Sequence, residues 1–259
     1  MSRMIDNLPL ALETGVCAEH GSFNFRYQPM GARFFVADSC PQCAAALKVK
    51  EQNEDAARRH KEQQARIERK RCDAGVGLRY VQASFDSFIA ETDDQAKALA
   101  DCVRYCEHIT CGGHANLVMS GQVGTGKTML ASAIINNLLE TGRRVRIAKL
   151  GDIVRRIKDS WQKVGSQSET EIIRELVQLD LLVIDEVGQQ RGTETEMLLI
   201  FEIIDGRYQA MMPTVLVSNL DRDGIRDAIG DRAFDRLRQD GGKVVAFNWA
   251  SMRGMRRAS

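Results

Sequence analysis

The chain of 259 residues carries 36 Lys and Arg against 35 Asp and Glu, a net charge of +1, and is 44% hydrophobic. That balance allows a substantial buried core and gives no global charge signal for nucleic acid. The chain has no apolar run of about 18 residues, the length a membrane span needs, and its acid-bearing start makes a poor signal peptide. The expected setting is therefore the cytoplasm, where seven cysteines are reduced or metal-bound rather than paired.

Composition divides the chain into three parts, expected as domains at 1–44, 45–77 and 78–259. In the first, Cys17-x2-His20 and Cys40-x2-Cys43 form two knuckle pairs, four protein ligands suited to tetrahedral, structural zinc. The aromatic alternation of residues 21–38 suits a small hairpin under such a site. Residues 45–72 contain no Gly or Pro and few apolar anchors, which predicts a long exposed spacer helix, ended by the glycines of "DAGVGLRY".

From residue 78 onward, apolar runs alternate with helical segments, as in an α/β fold with a parallel sheet flanked by helices. The helix over 94–108 carries Cys102, Cys106 and His108, with Cys111 and His114 after it. Lacking a paired knuckle, these read as core packing rather than a second metal site. The strand "ANLVMS" leads into "GQVGTGKT", and a helix is predicted over 127–139. Strand–loop–helix is the context that the phosphate-loop pattern G-x4-G-K-[ST] requires. Gly121, Val123, Gly124, Thr125, Gly126 and Met129 are expected around ATP, with Lys127 at the β/γ-phosphates and Thr128 on Mg²⁺.

A strand "RRVRIAKL", the helix "GDIVRRIKDSWQKVG" and the helix "SETEIIRELVQL" follow. Arg155, Arg156, Lys158 and Lys163 near Trp161 suit a single-stranded nucleic acid, the alternative being Trp161 in the core and the cations in solvent. The next strand, "LLVIDE", ends in Asp185, a candidate for the Mg²⁺ shell, and Glu186, a candidate to activate the attacking water. After the helix "TETEMLLIFEIIDGRYQA", the strand "PTVLVSN" ends in Asn219, which could position that water or simply form a turn. One or two short helices over 222–239 offer Arg232, Arg236 and Arg238 as candidates for an arginine acting on the γ-phosphate, and spacing does not choose among them. The strand "GKVVAFNW" closes the sheet.

Taken in order, "FDSF", "SGQVGTGKT", "GDIVRRIKDSW", "DLLVIDEVG", "VSN", "GDRAFDRLR" and "FNWASMR" make residues 78–257 resemble the DnaC-type helicase loaders, a branch of the AAA+ P-loop ATPases. The resemblance implies an AAA+ core, a homo-oligomer that shares ATP sites between subunits, and contact with single-stranded DNA and a hexameric DnaB-type replicative helicase. It assigns Asn219 to the sensor position, Arg236 to the arginine finger and Arg253 to a second sensor, and places DNA near Arg155, Lys158 and Trp161. The metal module replaces the usual helicase-gripping element, as in zinc-bearing phage and prophage variants. An IstB-type helper of transposition shares the core and is the alternative.

Overall fold

The strand β3 (Leu117–Gly121) is buried along almost its whole length, as are β5 (Leu181–Val187) and β6 (Thr214–Ser218). Strands apolar at consecutive positions cannot show one face to water, so they occupy the middle of a parallel sheet covered on both sides. With β4 (Val145–Lys149) and β7 (Lys243–Phe247) they form a five-stranded sheet of order β4-β5-β6-β3-β7, every pairing parallel. The computed structural model describes residues 11–27, 40–162, 167–189 and 192–253. These fall into two units, one ending at Ala65 and the other beginning at Arg66.

In the larger unit, alternate residues of the central strands serve two separate cores. Leu117, Met119, Val183 and Val215 pack under α2 (Asp93–Thr110) and α3 (Lys127–Glu140). Val118, Leu182, Ile184 and Leu216 pack under α4 (Leu150–Ser160), α5 (Glu169–Val177), α6 (Glu194–Gln209), α7 (Arg222–Ile229) and α8 (Asp231–Arg238). Thr92, Ser168 and Thr193 start α2, α5 and α6 with reciprocal capping boxes. The segment over 222–239 is two helices because Gly230, at φ 83, reverses the chain between them. Cys102 and Cys106 lie in the first core, and burial pushes their thiols up to about 12 and about 11. Arg207 is wholly buried, with no carboxylate paired to it among the described residues. It donates instead to the carbonyls of Leu176 and Pro213 (both 2.5 Å) and to Thr214 Oγ1 (3.0 Å), joining α5, α6 and β6.

The smaller unit contains an antiparallel hairpin of β1 (Ala11–Cys17) and β2 (Gly21–Tyr27). The hairpin therefore begins ahead of the segment read for it, with Cys17 and His20 at its turn. Residues 28–39 lie outside the described residues. The helix α1 (Pro41–Asp73) is 33 residues, about 50 Å long, and none of its residues is buried. The glycines that follow do more than stop it. Ala74 and Val76 enter the first core, and Ile147 N–H donates to Ala74 O at 2.8 Å, so this segment covers the sheet edge at β4. A side chain at Gly75 would meet Ile147 O at 2.1 Å. No helix among the described residues is long and apolar enough to cross a membrane.

Candidate functional site

The loop between β3 and α3 bounds a cavity of about 540 Å³, within the range typical of small-molecule sites. Gly124 and Gly126 stand at φ 83 and φ 94, so consecutive backbone groups turn inward as no run of L side chains could. Lys127 is 5% exposed, and its ammonium donates to Gly121 O at 2.7 Å and Gln122 O at 2.6 Å. Burial lowers its pKa to about 8 despite the opposing Asp185 charge. Gly121 and Thr125 thus support the lysine, whereas Val123, Gly124, Gly126, Lys127, Thr128 and Met129 line the cavity.

Across from this loop, the ends of three strands converge. Asp185 is 6% exposed; burial raises its pKa, opposed by hydrogen bonds from Glu186 N–H and the Thr128 hydroxyl. A hydroxyl and a carboxylate in contact at the cavity wall are hard oxygen donors that fit Mg²⁺. Glu186 has φ 57 within β5, and the β5–β6 ladder shifts register between Ile184 and Val187. That bulge turns the Glu186 carboxylate along the strand end, where Lys149 Nζ meets it at 2.8 Å. Asp185, Glu186 and Asn219 all reach the cavity, as does Arg253.

Two parts of the site went unread in the sequence. Arg79, Tyr80, Gln82, Ala83 and Phe88 form a further wall of the cavity, with Phe88 close against Gly126. Of these only Phe88 belongs to "FDSF", a mark of the resemblance; the others lie just before it. The second part is a strap after β7. Trp249 Nε1 donates to Thr125 O at 3.2 Å and Met252 N–H to Gly124 O at 2.9 Å. A Cβ on Gly124 would lie 2.0 Å from Ser251 Oγ, so that glycine admits the strap as well as making the turn.

Arg236 is not at this cavity. Its Nε donates to Asp205 at 2.8 Å and its guanidinium lies 4.5 Å from the Tyr208 ring centre. Arg232 stacks on Phe201 at 4.4 Å, and Arg238 is exposed. Trp161 is 53% exposed, which overturns the alternative of a core tryptophan, and its indole donates to Glu169 at 2.5 Å. The neighbouring cations have acidic partners, Arg155 with Asp152 and Lys158 with Glu196 at 3.2 and 3.1 Å. Lys163 lies outside the described residues, as do Arg256 and Arg257.

In the smaller unit, the ligand atoms of Cys17, His20, Cys40 and Cys43 all lie within 4.8 Å of one another. His20 Nδ1 is 3.7, 3.5 and 3.2 Å from the sulfurs of Cys17, Cys40 and Cys43, and Cys17 and Cys43 sulfurs are 3.6 Å apart. Tetrahedral zinc with ordinary bond lengths requires about 3.6 Å between N and S and about 3.8 Å between S and S. Cys43 N–H donates to Cys40 Sγ at 3.2 Å, as a knuckle does. Hydrogen bonds from Glu19 N–H and His20 draw the Cys17 thiol down to about 6, while the Cys40 and Cys17 sulfurs push Cys43 up to about 12. Zinc takes cysteine as thiolate, so a metal bound here would displace the thiol protons.

The family described as "IstB-like ATP binding protein" matches residues 47–258. The chain belongs to that family. This IstB-like ATPase is also 35% identical to the replicative helicase loader DnaC of Escherichia coli K12 over 180 residues, 70% of this chain and 73% of that protein. It is 33% identical to the uncharacterised protein YdaV of the same organism over 190 residues, 73% and 75% of the two chains. Among solved structures, the DnaC helicase loader aligns with a TM-score of 0.58 at 22% identity, over 66% of this chain and 99% of that one. DnaA of Aquifex aeolicus with AMPPCP gives 0.56 at 24% identity, over 66% and 50%. The IstB-like ATPase therefore shares the AAA+ fold of these two structures.

Proposed function

We propose that the protein is an ATP-driven loader of a replicative DNA helicase. The observation that carries this reading is the 35% identity to DnaC across most of both chains, joined to a cavity in which Lys127, Thr128, Asp185 and Glu186 converge.

The chemistry assigned to the cavity follows from its parts. Backbone N–H groups of residues 121–128 and the α3 N-terminus hold the phosphates, and Lys127 turns from the loop carbonyls to the β/γ-oxygens. Thr128 and Asp185 would hold Mg²⁺, which when bound neutralises phosphate charge. Glu186 takes the proton of the attacking water, with Asn219 orienting that water. Arg253 meets the γ-phosphate from the same chain, and Arg236, released from Asp205, meets that of a neighbouring subunit. The last role requires a homo-oligomer. Single-stranded DNA is assigned to α4 around Arg155, Lys158 and Trp161, and the half-exposed indole supports stacking there.

The remaining assignment concerns the module at 1–44 and the spacer at 45–77 ahead of the ATPase domain at 78–259. Structural zinc on Cys17, His20, Cys40 and Cys43 would fold a docking handle for the hexameric helicase, with the cytoplasm as the setting. The test is native mass spectrometry of the protein with its host's replicative helicase, ATP and Mg²⁺. A defined complex with the helicase ring, each loader subunit carrying one zinc, is expected. A protein that binds ATP and forms no such complex, but assembles with a transposase on duplex DNA, would replace the loader by the transposition helper.

A further inference from the structure

The last turns of α1 hold one wall of the nucleotide cavity. Arg71, whose side chain is 12% exposed, donates through Nη1 to Val81 O at 3.0 Å and lies 3.5 Å from Gln82 Oε1. Its other arm pairs with Glu140 Oε1 at 2.8 Å. One turn earlier on the helix, Glu68 Oε1 accepts from Gln82 Nε2 at 2.6 Å. Both ends of the Gln82 amide are thus engaged by α1, although Gln82 itself faces the cavity.

A second clamp grips the same segment from the opposite side. Asn136, 3% exposed, directs its amide N–H₂ at the carbonyls of Tyr80, Val81 and Ala83, at 3.2, 3.4 and 2.8 Å. Asn136 and Glu140 are both on α3, the helix that begins with Lys127 and Thr128. Arg71 therefore bridges the wall and the far end of the helix whose first turn faces the phosphates.

Segment 79–83 is one 3-10 turn, Leu78–Tyr80, followed by loop, so no sheet ladder fixes its shape. Side chains from α1 and α3 do that instead. If phosphates occupy the Gly-rich loop, the base lies toward this wall, because Arg79, Tyr80, Gln82 and Ala83 line the cavity on a segment held to α3 by Asn136, whereas Asp185 and Glu186 belong to β5. We propose that Arg71 is a positioning residue for the nucleotide base, which with Glu68 and Asn136 sets the wall against which the base packs. The proposal rests on the ATP reading and adds a consequence to it. By linkage, whatever shifts the end of α1 changes affinity for the base, and a bound base favours the arrangement at the end of α1 by the same factor.

The experiment is calorimetric titration of the full-length protein and Arg71→Met with ATP, GTP and inorganic tripolyphosphate, all with Mg²⁺. The expected result is about a tenfold loss of ATP affinity, the scale of one charge-assisted hydrogen bond. The ATP-to-GTP preference shrinks, tripolyphosphate binding stays within about twofold, and Arg71→Lys restores part of the loss. Equal losses for ATP and tripolyphosphate, or an unchanged ATP-to-GTP ratio, would overturn the proposal. Gln82→Ala changes an exposed side chain and gives the same readout if Arg71→Met fails to fold; an unchanged ratio there overturns it equally. A parent protein that binds tripolyphosphate and GTP as well as ATP would instead remove the ATP reading.

Discussion

Lys149 Nζ lies 2.8 Å from Glu186 Oε1, across the ends of two parallel strands in which Lys149 is in register with Asp185. The ion pair holds the carboxylate assigned to water activation, and Glu186 raises the Lys149 pKa, its hydrogen bond being the larger cause. The lysine also immediately precedes α4, so the carboxylate assigned to the water is tied to the helix assigned to DNA. Lys149→Met frees Glu186, and basal ATP turnover is expected to rise with no change in ATP affinity. Partly exposed pairs are worth roughly 0.2–1 kcal/mol, which bounds the rise at about fivefold. Steady-state hydrolysis beside equilibrium ATP binding checks this, and a fall in turnover would give Lys149 a different role.

Glu186→Gln removes the proton acceptor and keeps the shape. ATP binding should survive, while hydrolysis falls by about 10²–10⁴, the usual worth of a positioned general base. Hydrolysis at the parental rate would end the assignment of Glu186 to the water.

ATP affinity should depend on pH through Lys127, whose pKa in the free protein is about 8 because it is buried. Below that pH the ammonium is already charged and binding involves no proton from this group. Above it the free lysine is neutral, whereas the phosphates stabilise the charged form, so binding must take up a proton. Affinity then falls with rising pH, by at most about tenfold per unit, until the pKa of the complex is passed. Calorimetry at pH 9 in two buffers of different ionisation enthalpy measures the uptake directly, and none is expected from Lys127→Met.

Trp249→Phe removes the indole donor to Thr125 O and preserves a ring against Phe247, whose centre is 5.0 Å away. A hydrogen bond of this kind contributes about 0.5–1.5 kcal/mol, so ATP affinity should drop by up to about tenfold with the melting temperature little changed. Gly124→Ala should cost more, since it strains φ 83 and drives a Cβ into Ser251.

Chelation, or Cys43→Ser, should release one zinc per chain and loosen the hairpin of β1 and β2 while the unit from Arg66 melts as before. Hydrogen exchange resolves the two regions. Loss of protection throughout the larger unit would contradict an independent metal-held module.

The strands β3, β5 and β6 were legible because each is apolar over consecutive residues, and a central parallel strand admits little else. Lys127, Thr128 and Asp185 stood out for a related reason, since a phosphate loop works only between a strand and a helix, with an acid at the end of another strand of the sheet, here β5, separated from β3 by β6. The Cys and His pairs carried their own spacing. Local order of this kind is written in residues close along the chain.

Other features depended on partners far apart in sequence. Nothing near Arg71 announces Val81, Gln82 or Glu140, and nothing near Trp249 announces Thr125. The glycines of "DAGVG" read locally as a helix stop, and only the hydrogen bond from Ile147 N–H to Ala74 O shows that this segment also lies against β4. Arg236, one of three similar arginines in sequence, is distinguished by Asp205 and Tyr208 on another helix. The sequence by itself determined the glycine-rich loop between a strand and a helix, the acids at the end of β5 and the spacing of the Cys and His pairs, because each is a short-range pattern. Only the tertiary structure decided which backbone segments line the cavity and which distant side chains hold them, because such contacts form when folded helices and strands pack.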